Sequence, residues 1–341
     1  MSSSSKPPVI LYRYTGSPFA AKIENVLALK GIPHNRVDVS MTLPRPEITD
    51  LLGITYRRIP VLAIGNDVYC DTSLIAPVLE RRFPPEQGFP SLFPPRKDGT
   101  KCDTGLVKAL ATFYTDRVLF PPAANTLPYD KFPKAFVEDR SKWFGAPLNV
   151  QKMLAAQPVQ KSALVSHMAL LEEQLSDGRE WVLDTKAPGY CDLSYFFVLG
   201  WVINFKGMKD VLSVDKFPKS RTWINRMAQF VKAKEEAIAS SIAKIKGDAA
   251  AKIIAENVNA NVEEVGFDQA EASRLGFKLG DTVAIVPDDN AKNYPTVGTL
   301  VGLNHEQVVV QLSGAGVPSL RVHFPRLNFS IVPKSNVASK L

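Results

Sequence analysis

Cysteine and histidine are scarce in this 341-residue sequence, with three of the first and four of the second. Cys70, Cys102 and Cys191 are odd in number and far apart, which argues against a disulfide framework and against a Cys-rich zinc site. His34, His167, His305 and His323 do not cluster or show metal-ligand spacing, so no metal is expected. No apolar run approaches the roughly 18 to 20 residues that span a bilayer, and no membrane association is expected. The opening MSSSSKPP has no apolar h-region, so it reads as a short disordered arm rather than a secretory signal, and a cytoplasmic location follows. The formal net charge is +7, yet basic residues are interleaved with acids, as in VKAKEEAIASSIAKIKGD at 231–248. That is the pattern of a solvated helix face. No basic-aromatic motif accompanies it, so nucleic acid is not an expected partner.

What is present is a globular composition, 45% hydrophobic and 22% charged, with length for two or three domains. Residues 8–83 alternate strand and helix patterns. PVILYRY is a short apolar strand. Residues 18–30 place Ile23, Val26, Leu27 and Lys30 at helical spacing, and Gly31 ends that helix. PHNRVDV offers a second strand, and RIPVLAI, GND and VYC read as two strands about a tight turn. DTSLIAPVLERRFP then puts Leu74, Ile75, Val78 and Leu79 on one helical stripe. The order β-α-β-(α)-β-β-α predicts a small α/β layer.

Residues 84–100 are rich in Pro and Gly and read as a linker. From 101 to 246 the helical period dominates, predicting an all-helical domain. Leu106, Leu110, Phe113 and Tyr114 form one stripe; Leu164, Met168, Leu171 and Leu175 form another, with His167 on its flank. In PGYCDL, Gly189 is an acceptable N-cap and Asp192 can turn back to the free N–H groups; Leu193, Phe196, Phe197 and Trp201 then face inward. Trp223, Met227, Phe230, Ile238, Ile242 and Ile245 predict one long final helix. Residues 247–270 read as a partly helical linker. Residues 271–335 carry five short strands and suggest a small SH3-like barrel, an expectation about fold with no chemistry attached.

Three stretches can carry chemistry. In LYRYTGSPFAAKI, Ser17 stands at a helix start, where Pro18 suits the first turn and the free N–H groups favour an anion. A hydroxyl there can donate to a thiolate and lower the thiol pKa; the plain alternative is a Ser-Pro helix start. In RRIPVL, Pro60 fits a strand start after a cis Ile59–Pro60 bond, leaving the Val61 backbone to pair with an extended peptide; the alternative is an edge-strand proline without a ligand. In CDTSLI, Asp71 and Thr72 at a helix N-terminus suit the ammonium and carboxylate of an amino-acid head group; the alternative is an ordinary N-cap.

In order and spacing these pieces, with PGYCDL, resemble glutathione transferases. The resemblance covers residues 8–83 as their α/β thioredoxin-like N-terminal domain and about 101–246 as their all-α second domain. The 271–335 module lies outside it. The resemblance implies that Ser17 occupies the thiol-activating position, with Tyr12 and Tyr14 as alternatives. Val61 after Pro60 would hold the cysteinyl part of glutathione beside Ile59. Asp71 and Thr72 would hold the γ-glutamyl group, and Arg58 the glycyl carboxylate or nearby backbone. A hydrophobic electrophile would lie near Phe19, Phe113, Tyr114 and Arg117. Serine in place of the omega-type cysteine argues against disulfide exchange, since a hydroxyl cannot form a mixed disulfide, and favours conjugation. ITYRR replaces the usual Asn-Pro-x-Gly-Lys run, and Gly189 stands where Ser or Thr is commoner. The resemblance implies a homodimer using glutathione as co-substrate. The alternatives are a non-catalytic scaffold whose C-terminal module binds a protein partner, and an isomerase or lyase that returns glutathione unconsumed.

Overall fold

Residues 6–257, 264–317 and 319–335 are described in the computed structural model of the chain. The expected N-terminal arm, up to residue 5, and residues 258–263 of the expected 247–270 linker lie outside them. The α/β layer forms as the pattern predicts: β1 (Val9–Arg13), α1 (Pro18–Lys30), β2 (His34–Asp38), a short α2 (Pro46–Thr49), β3 (Val61–Ile64), β4 (Asp67–Cys70) and α3 (Thr72–Arg82). β1 pairs parallel with β2 and antiparallel with β3, and β3 pairs antiparallel with β4. Gly31 closes α1 at φ 65°, a left-handed conformation that glycine adopts without a Cβ penalty.

The helical region runs through α4 (Thr104–Ala109), a π-helical stretch Leu110–Leu119, α5 (Phe120–Ala124), α6 (Lys134–Phe144), α7 (Val150–Gln174), α8 (Tyr190–Val202) and α9 (Pro218–Ile238). The Asp192 capping box closes as expected. One carboxylate oxygen accepts from the Gly189 amide at 3.1 Å, and the other from Val182 N at 3.0 Å and Trp223 Nε1 at 3.1 Å.

Two helical expectations are corrected. The first stripe holds only in part: Leu110 and Tyr114 pack against the core, but Leu106 and Phe113 are 60% and 42% exposed, while Val107, Ala111, Thr115 and Leu119 are buried. The π-helical stretch bonds i to i+5 and turns more slowly than 3.6 residues per turn, so the inward row advances by fours. The final helix ends at Ile238. After one 3-10 turn, in which Ser241 Oγ donates to the Ile238 carbonyl, Ile242–Lys244 becomes β5 and pairs parallel with β2. The open edge of β2 gave those residues a ladder that outweighs their helical spacing.

α10 (Gly247–Glu256) and α11 (Gln269–Leu275) lead into β6 (Thr282–Pro287), β7 (Thr296–Leu303), β8 (Gln307–Leu312), β9 (Leu320–Pro325) and β10 (Phe329–Pro333). These are the five strands the sequence predicts. β6 to β9 form an antiparallel meander, and β10 returns beside β6. β9 also pairs parallel with β4, so all ten strands form one sheet, ordered β10-β6-β7-β8-β9-β4-β3-β1-β2-β5. At that seam Asp67 is buried. It faces His323 Nε2 at 3.1 Å, Arg82 at 3.3 Å and Arg321 at 3.2 Å. His323 reaches Gln307 through its other nitrogen at 2.9 Å and packs on the Tyr69 ring at 4.5 Å. Among the described residues no helix is long and apolar enough to cross a membrane.

Candidate functional site

The register of β3 gathers the three stretches at one end of the sheet. Val61, its first residue, lies between Tyr12 near the end of β1 and Cys70 at the end of β4. α1 starts just beyond β1 and α3 just beyond β4, so Ser17, Val61, Asp71 and Thr72 share that end. The Ile59–Pro60 bond is cis. β3 is an interior strand and Val61 is paired on both sides, so its backbone is not left free as expected, and a peptide could meet this end only at the residues that precede the strand, Ile59 and Pro60.

Ser17 is buried and caps α1: its Oγ accepts from Ala20 N at 3.2 Å. A hydroxyl accepts and donates at once, so the cap leaves its proton available to an anion. The tyrosines are placed differently. Tyr12 is fully buried among Ile10, Val61 and Ala63, and burial, with Glu47 adding to it, pushes its phenol well up. Tyr14 is half-buried and turned toward α6, where Arg140 donates to its hydroxyl at 3.4 Å and Arg45 lies 5.6 Å from its ring.

Asp71 caps α3 from φ 73°, a left-handed conformation costly for a side-chain-bearing residue and one that persists only where its surroundings enforce it. They do: one carboxylate oxygen accepts from Ser73 N at 3.0 Å and Ser73 Oγ at 2.7 Å, and the other from the Tyr56 hydroxyl at 3.4 Å. Thr72 is buried, and its hydroxyl donates to Asp116 at 3.4 Å. Asp116 also receives Lys22 Nζ at 2.7 Å, and the Lys22 side chain is fully buried against the rings of Phe197 and Tyr190. Burial raises the Asp116 pKa against the pull of Lys22. Tyr56, Asp116 and Lys22 are neighbours that sequence reasoning missed. Lys22 and Asp116 are 94 positions apart, and no local pattern links them.

Arg58 points to the C-terminal module. Its Nη2 pairs with the Asp289 carboxylate and donates to the Asn290 carbonyl at 2.7 Å. Arg117 reaches the other Asp289 oxygen at 3.8 Å. Burial pulls the Asp289 carboxyl upward, but Arg58 and Arg117 outweigh it and hold the pKa below the usual carboxylate range. The neighbouring Arg57 is buried between the rings of Trp143 and Tyr294, at 5.2 and 4.6 Å, and pairs with Asp139 at 2.8 Å. Thr55 donates to the Pro295 carbonyl, Tyr56 N to Thr296 Oγ1 at 3.1 Å, and Ala291 N to the Trp143 carbonyl at 2.9 Å. Residues 288–296 therefore lie along ITYRR and tie it to the helical region.

The residues expected around an electrophile do not gather. Phe19 packs into the helical core against Phe120 at 4.7 Å and Phe197 at 5.2 Å. Phe113 is exposed. The Tyr114 hydroxyl bonds His167 Nδ1 at 3.0 Å, and Arg117 faces the module. A cavity of about 420 Å³ is lined by Leu43, Pro44, Thr49, Thr55, Asp139, Lys142 and Tyr294, and one of about 550 Å³ lies between Gly53 and β6 to β8. Neither is lined by Ser17, Val61, Asp71 or Thr72.

Residues 11–87 match the sequence profile of the glutathione S-transferase N-terminal domain, and residues 119–237 match a domain of unknown function, DUF7962. Among solved structures, a GST-like protein from Pseudomonas syringae is 27% identical, with 96% of this chain and all of that one covered at a TM-score of 0.68. A tau-class glutathione S-transferase from mango, Mangifera indica, is 17% identical over 66% of this chain and 90% of its own, at a TM-score of 0.48. No curated protein matches the sequence.

Proposed function

By its N-terminal domain and its fold this chain is a member of the glutathione transferase superfamily with an additional C-terminal β-rich module, and from that premise we propose that it binds glutathione and activates its thiol for attack on a hydrophobic electrophile. The observation that carries this reading is the shared end of the sheet. Two helix N-termini, capped by Ser17 and Asp71, flank the start of β3 and the Ile59–Pro60 segment that leads into it. The backbone entering β3 at Ile59, beside the cis Pro60, suits the cysteinyl unit of an extended peptide, since Val61 is already paired with Tyr12 and Cys70. Asp71 and Thr72 suit the γ-glutamyl head group, with Asp116 behind them. The Ser17 hydroxyl, already held by Ala20 N, has a proton to give to the thiolate. That stabilises the ionised sulfur and raises its population at neutral pH. Tyr12 is a poorer donor to a ligand because its hydroxyl is sealed from solvent. The protein would act as a cytoplasmic dimer. The test is conjugation of glutathione to a generic aryl halide by the purified protein and by Ser17→Ala. Loss of turnover in the variant is expected. Unchanged turnover would remove Ser17 from the mechanism and direct attention to Tyr14.

A second reading is a ligand-holding scaffold without turnover. It is favoured by the contact of residues 288–296 with Arg58 and Arg57, which commits the ITYRR segment to the module. Thermal unfolding with glutathione separates the two from an unoccupied fold: occupancy at 100 times the dissociation constant adds about 2.7 kcal/mol. A shift without turnover of any aryl halide supports the scaffold.

A further inference from the structure

Arg58 and Arg117 come from different parts of the chain and meet on a single residue of the C-terminal module. Asp289 gives one carboxylate oxygen to each. Arg58 Nη2 donates both to that carboxylate and to the next residue's carbonyl, and its Nε is buried without a hydrogen-bond partner over the Trp143 ring. The segment bearing Asp289 is fixed at both ends. Asp288 N donates to the Asn328 carbonyl at 3.0 Å, and Ala291 N to that of Trp143. At the far end Thr55 holds the Pro295 carbonyl, and Tyr294 stacks on Arg57. The pair is not sealed, because the Asp289 side chain keeps 35% of its exposure. A carboxylate on this cation pair, reachable from solvent, is chemically what a peptide's terminal carboxylate would be.

We propose that Asp289 is an internal competitor for the seat of a peptide thiol's terminal carboxylate, and that it sets which thiols the site accepts. This rests on the reading of the pocket as a glutathione site. While Asp289 holds Arg58, an incoming carboxylate must displace an equivalent one, and the exchange yields little. A thiol with a neutral C-terminus leaves the Arg58–Asp289 pair intact. The native chain therefore favours thiols defined by their γ-glutamyl and cysteinyl units and is indifferent to charge at the glycyl end. Asp289→Asn keeps the side-chain shape and returns both guanidinium groups to the ligand.

The experiment is calorimetric titration of the full-length protein, Asp289→Asn and Asp289→Ala with glutathione and with its glycyl monoethyl ester. In the native protein the two thiols should bind with similar affinity. In both variants glutathione should tighten by about tenfold, the scale of one charge-assisted hydrogen bond, while the ester stays unchanged. Glutathione binding only to the variants also supports the proposal. Equal affinities that the variants leave unchanged, or equal tightening of both thiols, overturn it and leave the glutathione site standing. Binding of neither thiol to any of the three proteins overturns the glutathione reading and the proposal together.

Discussion

Replacing Lys22 by methionine should be among the most damaging single changes in this chain. The Lys22 side chain is fully buried, and its ammonium lies 2.7 Å from an Asp116 oxygen whose side chain is 12% exposed. At an effective dielectric near 20, two unit charges at this distance attract by roughly 6 kcal/mol. Desolvating an ammonium with no exposure offsets several kcal/mol of that, so the intact pair stands near balance. Losing one partner is not balanced, because Asp116 then keeps its burial without its counter-charge; the cost should be about 3 to 5 kcal/mol. With a urea slope of about 3 kcal/mol per molar, the unfolding midpoint falls by about 1 to 1.7 M, read by tryptophan fluorescence. Lys22→Met with Asp116→Leu should recover at least half of the loss, since both charges are then gone. Acid should also narrow the gap between Lys22→Met and the native protein. Asp116 already has a raised pKa, and removing the ammonium raises it further. The folded state then binds the proton more tightly than the unfolded chain, so lowering the pH stabilises the variant relative to its value at neutrality. A single variant within about 1 kcal/mol of the native protein would refute the reasoning, as would a double variant no better than the single.

Other outcomes follow from the same geometry. Ser17→Ala should cost about 1 kcal/mol of stability by removing the cap on Ala20 N, while Ser17→Thr should keep most of it; equal chemical-denaturation midpoints for the two would contradict the cap. Asp67→Ala should cost about 3 to 5 kcal/mol and lower hydrogen-exchange protection across β9, because Arg82 and Arg321 lose a carboxylate buried at the seam; unchanged protection of Leu320–Pro325 would show the seam holds without it. His34 is buried, with Nδ1 donating to the Ile32 carbonyl at 3.0 Å, and burial lowers its pKa. Its contribution is present above the usual histidine value of about 6.5 and is lost as the pH falls through the lower folded value, so stability should drop as the pH falls below about 6.5. His34→Gln should flatten that drop, and an identical pH dependence in the variant would exclude His34 as its source.

The α/β layer was legible because its signals are local. Alternating apolar runs end at Gly31 and Pro60, and Ser17, Asp71 and Gly189 stand where helices begin. Ser17, Val61, Asp71 and Thr72 were legible for the same reason, and the structure places them at one end of the sheet. What was not legible is nonlocal. Asp116 meets Lys22 across 94 positions, and Asp289 meets Arg58 across 231. Neither aspartate stands in a motif. The Leu106 stripe held at Leu110 and Tyr114 but not at Leu106 and Phe113, because a π-helical stretch changes the period that a 3.6-residue count assumes. The end of the last helix failed because Ile242–Lys244 found a partner in β2, which their own spacing does not encode.

The seam between β4 and β9 also has a consequence in time. Asp67 and His323 are 256 positions apart in the chain. At ribosomal rates of about 5 to 20 residues per second, β4 is made roughly 10 to 50 s before the strand that covers its edge. For that interval the nascent protein carries an open sheet edge able to pair with a neighbouring chain on the same message. A chaperone that holds strand edges during synthesis would therefore raise the yield of this protein more than that of a version whose β4 edge was blocked by a charged or proline substitution.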